Sequence, residues 1–332
     1  MYLADRRGTT APASAATAPG TSPGRRAAAV PGTVLALGAV SLITDVSSEM
    51  VSAVLPLYLL TGLGLSPLGF GVLDGLNNGV GALVRLAGGH LADRGRSGHK
   101  TVAAIGYGLS ALCKPLLLLA HTVPMIGAVI AVDRTGKGLR TAPRDAMISL
   151  ATEPEHRGRA FGVHRAMDTA GALLGPLVAF AVLRLAGGPL LADGGGGAYD
   201  AVFAVSGCIA ALGVLVLLLF VPGRLGRTTP SGPPASLRAG IALLRLPELR
   251  RLTICAVLLG LTTVSDSFLF LLLQRRLGLS AQLFPLLPLG TAAAFLLLAV
   301  PLGALADRIG RRRLFLAGHG LLLLAYGLLL GP

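Results

Sequence analysis

The sequence predicts an all-α integral membrane protein built from two helical bundles, and three observations support this prediction. Of the 332 residues, 53% are hydrophobic and 13% are charged, and the mean hydropathy of +0.73 exceeds that of ordinary soluble domains. Arg and Lys residues gather at alternate ends of the apolar runs. A short motif also occurs twice at a fixed separation, which indicates duplicated halves.

The duplication is visible in two pairs of tetrapeptides. The sequence LADR at Leu91–Arg94 recurs at Leu305–Arg308, and LGLS at Leu63–Ser66 recurs at Leu277–Ser280, both 214 residues later. Because the copies run in the same direction, the two bundles are expected to be related by an axis along the membrane normal. A complete second half would need roughly another hundred residues beyond Pro332. We therefore expect the chain to be a C-terminally truncated fragment.

The basic residues indicate topology rather than nucleic-acid binding. The formal net charge is +14, but most Arg and Lys residues lie at one set of helix ends, as they do in the cytoplasmic loops of membrane proteins. The intervening ends hold only Arg184, Arg275 and Arg276. We therefore expect a multi-pass protein of the cytoplasmic (inner) membrane, with its N-terminus in the cytoplasm and no nucleic-acid partner.

The chain begins with a polar segment that precedes the first membrane helix. Residues 1–30 are rich in Ala, Thr, Pro and Ser and too polar to pack, which predicts a disordered cytoplasmic tail. The following apolar run continues past Asp45 and Glu49 to Leu60, and no convincing small-residue cleavage site follows. We interpret this run as a membrane helix rather than a signal peptide.

The remaining apolar runs are long enough to cross a bilayer, which takes about 20 residues. Residues 31–222 are predicted to form a six-helix bundle, residues 223–249 a Pro-rich cytoplasmic linker, and residues 250–332 about three helices of the second bundle. The nine helices are expected near 33–61, 67–91, 101–120, 123–146, 159–185, 200–221, 251–273, 282–305 and 314–331.

Ten ionisable residues fall inside the predicted helices of the first bundle. Each would cost about 2.5–3.5 kcal/mol at the bilayer centre, so they should face the bundle interior or a water-filled cavity. Five acids and five bases could instead neutralise one another as structural ion pairs, and the sequence leaves this alternative open. The residues are Asp45, Glu49, Asp74, Asp133, Asp168, Arg85, Lys114, Arg134, Lys137 and Arg165.

Polar residues on three of these helices recur at the spacing of one helix face. Three such faces are poor candidates for contact with lipid, so we expect them to line one aqueous cavity that binds the solute. The faces comprise Ser41, Asp45, Ser48 and Ser52 with Glu49 beside them; Asp74, Asn78, Gly81 and Arg85; and Asp133, Lys137, Arg140 and Arg144.

The repeated motif resembles the signature of the major facilitator superfamily, Gly-x-Leu-x-Asp-Arg-x-Gly-Arg-Arg between the second and third helices of each half. The second copy matches nearly position for position, whereas the first departs at residues 96–100. The resemblance covers roughly residues 32–332 and implies a two-bundle transporter with a cytoplasmic charge network that acts as a gate. The implied gating residues are Gly89, Asp93 and Arg94, their repeats Gly303, Asp307 and Arg308, and the candidate partner Asp145.

Two further motifs resemble this family. Arg134 followed by Gly138 is similar to a fourth-helix arginine motif that the resemblance links to proton coupling. The fifth-helix motif of Gly171, Gly175 and Pro176 resembles a signature of proton-coupled exporters, although the usual trailing glycines are absent. The motif predicts a Gly-x-x-x-Gly face that packs closely against another helix, followed by a kink at the proline.

The sequence thus predicts a monomeric secondary transporter that exports a small solute in exchange for protons, with the lipid bilayer as its solvent. The proton-coupling candidates are Asp45, Glu49 and Asp266. We expect no enzymatic activity, cofactor or metal, since no phosphate-binding loop, nucleophile–base pair or Cys/His metal spacing is present. The alternatives are uptake by proton symport, a non-transporting sensor, a membrane-embedded enzyme and an inactive fragment.

Overall fold

The computed structural model describes residues 30–94, 98–190, 196–223, 242 and 245–330, and all regular secondary structure in these ranges is helical. The predicted all-α membrane fold is confirmed. The predicted tail and most of the predicted linker lie outside the described residues.

The helices are α1 (Gly32–Leu57, continued by a π-helical turn at Tyr58–Gly62), α2 (Pro67–Arg94), α3 (His99–Leu119), α4 (Val123–Leu150), α5 (Arg157–Leu190), α6 (Gly196–Phe220), α7 (Pro247–Thr262), α8 (Asp266–Leu277), α9 (Leu286–Ile309) and α10 (Arg311–Leu330).

Six helical segments in the described ranges are long and apolar enough to cross a membrane, so the protein is a multi-pass membrane protein. The segments are Gly32–Gly62, His99–Leu119, Pro154–Ala186, Gly197–Phe220, Pro247–Leu277 and Arg312–Leu329. Helix α4 is not among them because it contains six ionisable residues within residues 133–145. It packs against α3 and α2, which cover part of this polar surface.

The first six helices pack around α1, which contacts α5 on one side and α6 on the other. Helix α3 lies against α4 and α6, and α2 lies against α4. Two clusters of buried apolar side chains fill this bundle. One cluster includes Met50 and Phe203, and the other includes Leu37 and Met147. Helix α1 contributes to both clusters, which places its polar residues at the centre of the bundle.

The two copies of the sequence repeat also share a backbone conformation. Gly64 and Gly278, which are equivalent under the 214-residue offset, have φ values of +63° and +60°. This left-handed conformation costs glycine little and ends a helix in both places. Ser66 starts the next helix, since its Oγ accepts a hydrogen bond from the Gly69 N–H at 3.1 Å. The two halves therefore end their first membrane segment by the same device.

The seventh helix, predicted near residues 251–273, is present within the membrane segment Pro247–Leu277. It is interrupted, however, and the sequence analysis did not predict the interruption. The chain leaves the helix after Thr262, adopts extended backbone at Thr263 and Ser265, and re-enters a helix at Asp266. Two adjacent threonines and a valine favour the break, because β-branched residues lose side-chain freedom in a helix. The Val264 N–H, released by the break, donates to the Tyr326 hydroxyl at 3.1 Å.

The C-terminal helices lie against several helices of the first bundle. Helix α9 packs on α5, and α8 approaches α1. These contacts bring the break between α7 and α8 to the polar side of α1, and they enclose a space between the two groups of helices.

Candidate functional site

A cavity of about 900 Å³ lies between α1, α4 and α5 on one side and α8 and α9 on the other. The first side supplies most of the charged groups, whereas the second supplies mainly aromatic and apolar ones. The ionisable side chains that line the cavity are Asp45, Glu49, Arg134, Lys137, Arg140, Arg144, Arg165, Asp168 and Asp266. All nine were predicted as coupling or cavity residues, Arg140 and Arg144 as members of the polar face of α4.

Asp45 is held by a buried arginine of α4. The Arg140 Nη2 donates to the Asp45 Oδ1 at 3.3 Å, and the two side chains are only 4% and 13% exposed. The guanidinium carbon of Arg140 also lies 4.5 Å from the centre of the Tyr107 ring, close enough for a cation–π contact. Arg140 thus makes the ion pair with Asp45, and the charge of the cavity residue Lys137 also acts on this carboxyl group.

Asp168 of α5 is shared between two bases and lies beside Asp45. Its carboxylate is 3.7 Å from the Arg144 Nη1 and 3.1 Å from the Arg165 Nη1. Asp45 and Asp168 both line the cavity, and the charge of Asp168 acts on Asp45. Two acids from different helices therefore lie at the same cavity wall, Asp45 in contact with one arginine and Asp168 with two.

Glu49 makes a looser contact. Its Oε1 lies 3.8 Å from the Lys137 Nζ, and both side chains are about one third exposed. Such a pair contributes little to stability in a hydrated setting, so either group is available to other partners.

A buried polar group behind the arginines connects α1, α3 and α5. The Ser41 Oγ lies 3.0 Å from the His164 Nε2 and 3.4 Å from the Tyr107 hydroxyl, and it accepts a hydrogen bond from the Arg144 Nη1 at 3.3 Å. Sequence reasoning missed Tyr107, although Tyr107, Ser110 and Lys114 follow one helix face of α3. That spacing is the signal that could have found it.

Lys114 and Asp133, predicted as cavity residues, pair with each other away from the large cavity. The Lys114 Nζ is 3.0 Å from the Asp133 Oδ1, and the side chains are 3% and 18% exposed. They are not among the residues that line the cavity. The alternative interpretation, a structural ion pair, describes this contact.

We predict that Lys114→Met destabilises the protein by about 3 kcal/mol, because it leaves the Asp133 carboxylate buried without a counter-charge. The double variant Lys114→Met/Asp133→Leu should recover most of this loss. Membrane abundance and thermal unfolding in detergent measure the effect. A double variant as unstable as the single one would contradict the structural role.

The predicted cavity face of α2 is only partly brought to the site. Gly81 lines the cavity, whereas Asp74 and Asn78 do not. Instead the Asn78 Nδ2 donates to the Asp74 Oδ2 at 3.3 Å on an exposed part of the helix. Helix α2 packs against α4, and among the described residues of its polar face Gly81 lines the cavity. The side chain of Arg85 lies outside the described residues.

A charged cavity between two groups of helices, in a chain with a duplicated helical pattern, agrees with the family suggested by the repeated motif. The sequence model of the Major Facilitator Superfamily matches residues 37–332. The chain belongs to the major facilitator superfamily. Members of this family are secondary transporters, which indicates a transporter rather than an enzyme.

Three similar proteins place the chain within the superfamily. An uncharacterised MFS-type transporter of Methanocaldococcus jannaschii is 31% identical over 295 residues, which are 86% of this chain and 69% of that protein. A multidrug resistance protein of Photorhabdus laumondii is 30% identical over 129 residues, 39% of this chain and 32% of that one. The crystal structure of a bacterial homolog of the human lysosomal transporter Spinster, inward-facing and unoccupied, superposes with a TM-score of 0.66 at 20% identity.

The chain is shorter than these relatives. The superposition includes 84% of this chain and 63% of the Spinster homolog. At 20% sequence identity, this similarity shows the fold alone. The chain spans about two thirds of the Methanocaldococcus transporter.

The two copies of the superfamily motif occupy equivalent helix ends. Gly89, Asp93 and Arg94 lie in the last turns of α2, and Gly303, Asp307 and Arg308 lie in the last turns of α9. The side chains of Asp93, Arg94 and Asp307 lie outside the described residues, and Arg308 is exposed. The candidate gate partner Asp145 accepts a hydrogen bond from the Arg144 Nε at 3.1 Å. This contact links the C-terminal half of α4 to the cavity wall.

The glycine motif of α5 faces the acids of α1. A Cβ added to Gly171 would lie 2.5 Å from the Leu42 carbonyl oxygen and 3.2 Å from the Asp45 Cβ. At Gly175 it would lie 2.6 Å from the Glu49 Cβ. Pro176, the next residue, lines the cavity. The absence of side chains at the two glycines therefore lets α5 approach the turns of α1 that bear Asp45 and Glu49.

Proposed function

We propose that the protein is a secondary active transporter that exports a small solute across the cytoplasmic membrane in exchange for protons. The observation that carries this proposal is that two carboxyl groups, Asp45 and Asp168, line the same wall of the cavity between the two groups of helices and both contact arginines. The cavity is the solute site, and rocking of the two groups about it gives alternating access.

The geometry suggests how a proton and a solute share this site. One proton held between Asp45 and Asp168 removes the repulsion between two adjacent carboxylates. When that proton leaves, Asp45 becomes the full counter-charge of Arg140, and Asp168 that of Arg144 and Arg165. The charge available to a solute at the wall thus depends on whether the proton is bound. Glu49 with Lys137, and Asp266 opposite, are further coupling candidates in the same cavity.

Two features support export. The Gly171–Pro176 segment resembles an exporter signature, and the Photorhabdus relative is a multidrug resistance protein by name. The distribution of Arg and Lys supports an orientation with the N-terminus in the cytoplasm. In this orientation the gating residues at the ends of α2 and α9 lie on the cytoplasmic side.

Everted membrane vesicles from cells that express the protein test the proposal. Respiration acidifies the vesicle lumen, and acridine orange fluorescence reports the pH gradient. Naphthalene sulfonates, naphthyl ammonium salts and neutral naphthols are added in turn, and an exchanged solute should restore fluorescence because protons leave as it enters. Vesicles without the protein are the control. No restoration by any compound would contradict proton exchange, and a deeper quench on addition would indicate symport instead.

A further inference from the structure

We infer that the solute is an amphiphilic organic anion, with a carboxylate, sulfonate or phosphate group on an apolar, ring-sized body. The inference rests on the proposed function, because it assigns the cavity as the solute site. It follows from how charge and apolar surface are distributed over the two sides of the cavity, and each side supplies one half of the argument.

The side formed by α1, α4 and α5 has more bases than acids. Five bases, from Arg134 to Arg165, line it, against three carboxylates at Asp45, Glu49 and Asp168. Asp145 adds a fourth acid to the network through Arg144, although it does not line the cavity. Asp168 contacts both Arg165 and Arg144, and Arg144 also pairs with Asp145.

Arg165 is the base most available to a solute. Its side chain is 72% exposed, whereas the side chains of Arg140 and Arg144 are 4% and 14% exposed. The side chain of Lys137 is 37% exposed, and its contact with Glu49 is long. A guanidinium group presents paired N–H donors that fit a carboxylate, sulfonate or phosphate. The exposed bases of this side therefore favour an anionic group.

The one acid on the opposite side does not alter this balance. Asp266 is the first residue of α8, where its carboxylate lies at the positive end of the helix dipole. The dipole offsets part of its charge, which lowers the need for a cationic group on the solute there.

The side formed by α8 and α9 is aromatic. Phe270, Phe284 and Phe295 line the cavity together with Pro288 and Ala292. Phe295 is 65% exposed, whereas Phe284 is buried at 1%. Such a surface opposite a row of bases binds a molecule whose apolar body contacts the rings while its anionic group contacts Arg165. A small inorganic anion would leave the aromatic side without a partner.

Protection of a cavity thiol tests this inference by equilibrium binding, without any proton gradient. Cys113, Cys208 and Cys255 are replaced by alanine, and Thr291→Cys, at an exposed cavity position, supplies the only thiol. Its rate of alkylation is measured with four probes: naphthalene-2-sulfonate, 2-naphthyltrimethylammonium, 2-naphthol and methanesulfonate. Naphthalene-2-sulfonate should protect at about tenfold lower concentration than the other three, since only it engages both sides.

Two variants test whether both the basic side and the aromatic side of the cavity contribute to the protection of the thiol. Arg165→Gln and Phe295→Ala, at exposed side chains, should each weaken protection by naphthalene-2-sulfonate by about fivefold to tenfold. Arg184→Gln is the matched control, since it removes one positive charge from the same helix outside the cavity. Equal or better protection by the ammonium probe or by methanesulfonate overturns the inference, and so does the absence of protection by all four. Because no gradient is present, loss of proton exchange in vesicles with retained protection would overturn the proposed coupling alone.

Discussion

Replacing Asp45 by asparagine is expected to abolish proton-driven accumulation of solute, down to the level of vesicles that lack the protein. Asparagine cannot take up a proton, so the proton shared with Asp168 has no acceptor on α1. The amide oxygen can still accept the hydrogen bond from Arg140, so the fold and the membrane abundance should stay near normal. Exchange of solute down its own gradient should persist, because it needs no net proton movement. Reconstituted vesicles with an imposed pH gradient measure both activities.

Two controls separate this role from a purely structural one. Asp74→Asn neutralises a partly buried acid of α2 that does not line the cavity, and it should leave accumulation intact. If Asp45 is instead only the counter-charge of Arg140, Asp45→Asn should lower abundance, and a second change, Arg140→Gln, should restore it. Normal pH-driven accumulation by Asp45→Asn would remove Asp45 from the mechanism and leave Glu49 or Asp266 as the coupling group.

Much of the fold could be predicted from the sequence because the bilayer imposes simple requirements. A span needs a minimum apolar length, and the backbone must satisfy its own hydrogen bonds, so apolar runs give helices. The LGLS and LADR repeats then identify equivalent helix ends, and Gly64 and Gly278 share one unusual backbone conformation there. The break before Asp266 escaped prediction, since its released Val264 N–H is satisfied by Tyr326, a residue 62 positions away.

The composition of the cavity could be predicted better than its pairing. Polar faces on α1 and α4 were sufficient to bring Asp45, Glu49 and Lys137 to one cavity. Which base meets which acid depends on helix rotation and on contacts between helices, and neither is visible in a single helix pattern. The ion pair of Asp45 with Arg140, one turn from Lys137, could therefore not be chosen from the sequence. The positions of Asp74 and Asn78 outside the cavity could not be foreseen for the same reason.

Gly175→Leu is expected to disrupt the first bundle, because α1 leaves no room for a side chain at this position. Even a Cβ would lie 2.9 Å from the Val46 carbonyl oxygen and 3.1 Å from the Glu49 carbonyl carbon, both backbone atoms that cannot turn away. Overpacking at a close contact costs about 3 kcal/mol when side chains can adjust, and a backbone contact leaves less freedom to adjust. Membrane abundance and the midpoint of thermal unfolding in detergent should both fall, and Gly175→Ala should show a smaller loss in the same direction.

Gly162→Leu is the matched control on the same helix, since a Cβ there would meet no atom within 4 Å. It should leave abundance unchanged, because leucine also favours a helix over glycine by about 1 kcal/mol. Equal stability of the Gly175→Leu and Gly162→Leu variants would show that α1 and α5 are further apart than described. In that event Asp45 and Asp168 would also be separated, because the close approach of α5 to α1 is what brings the two carboxyl groups together.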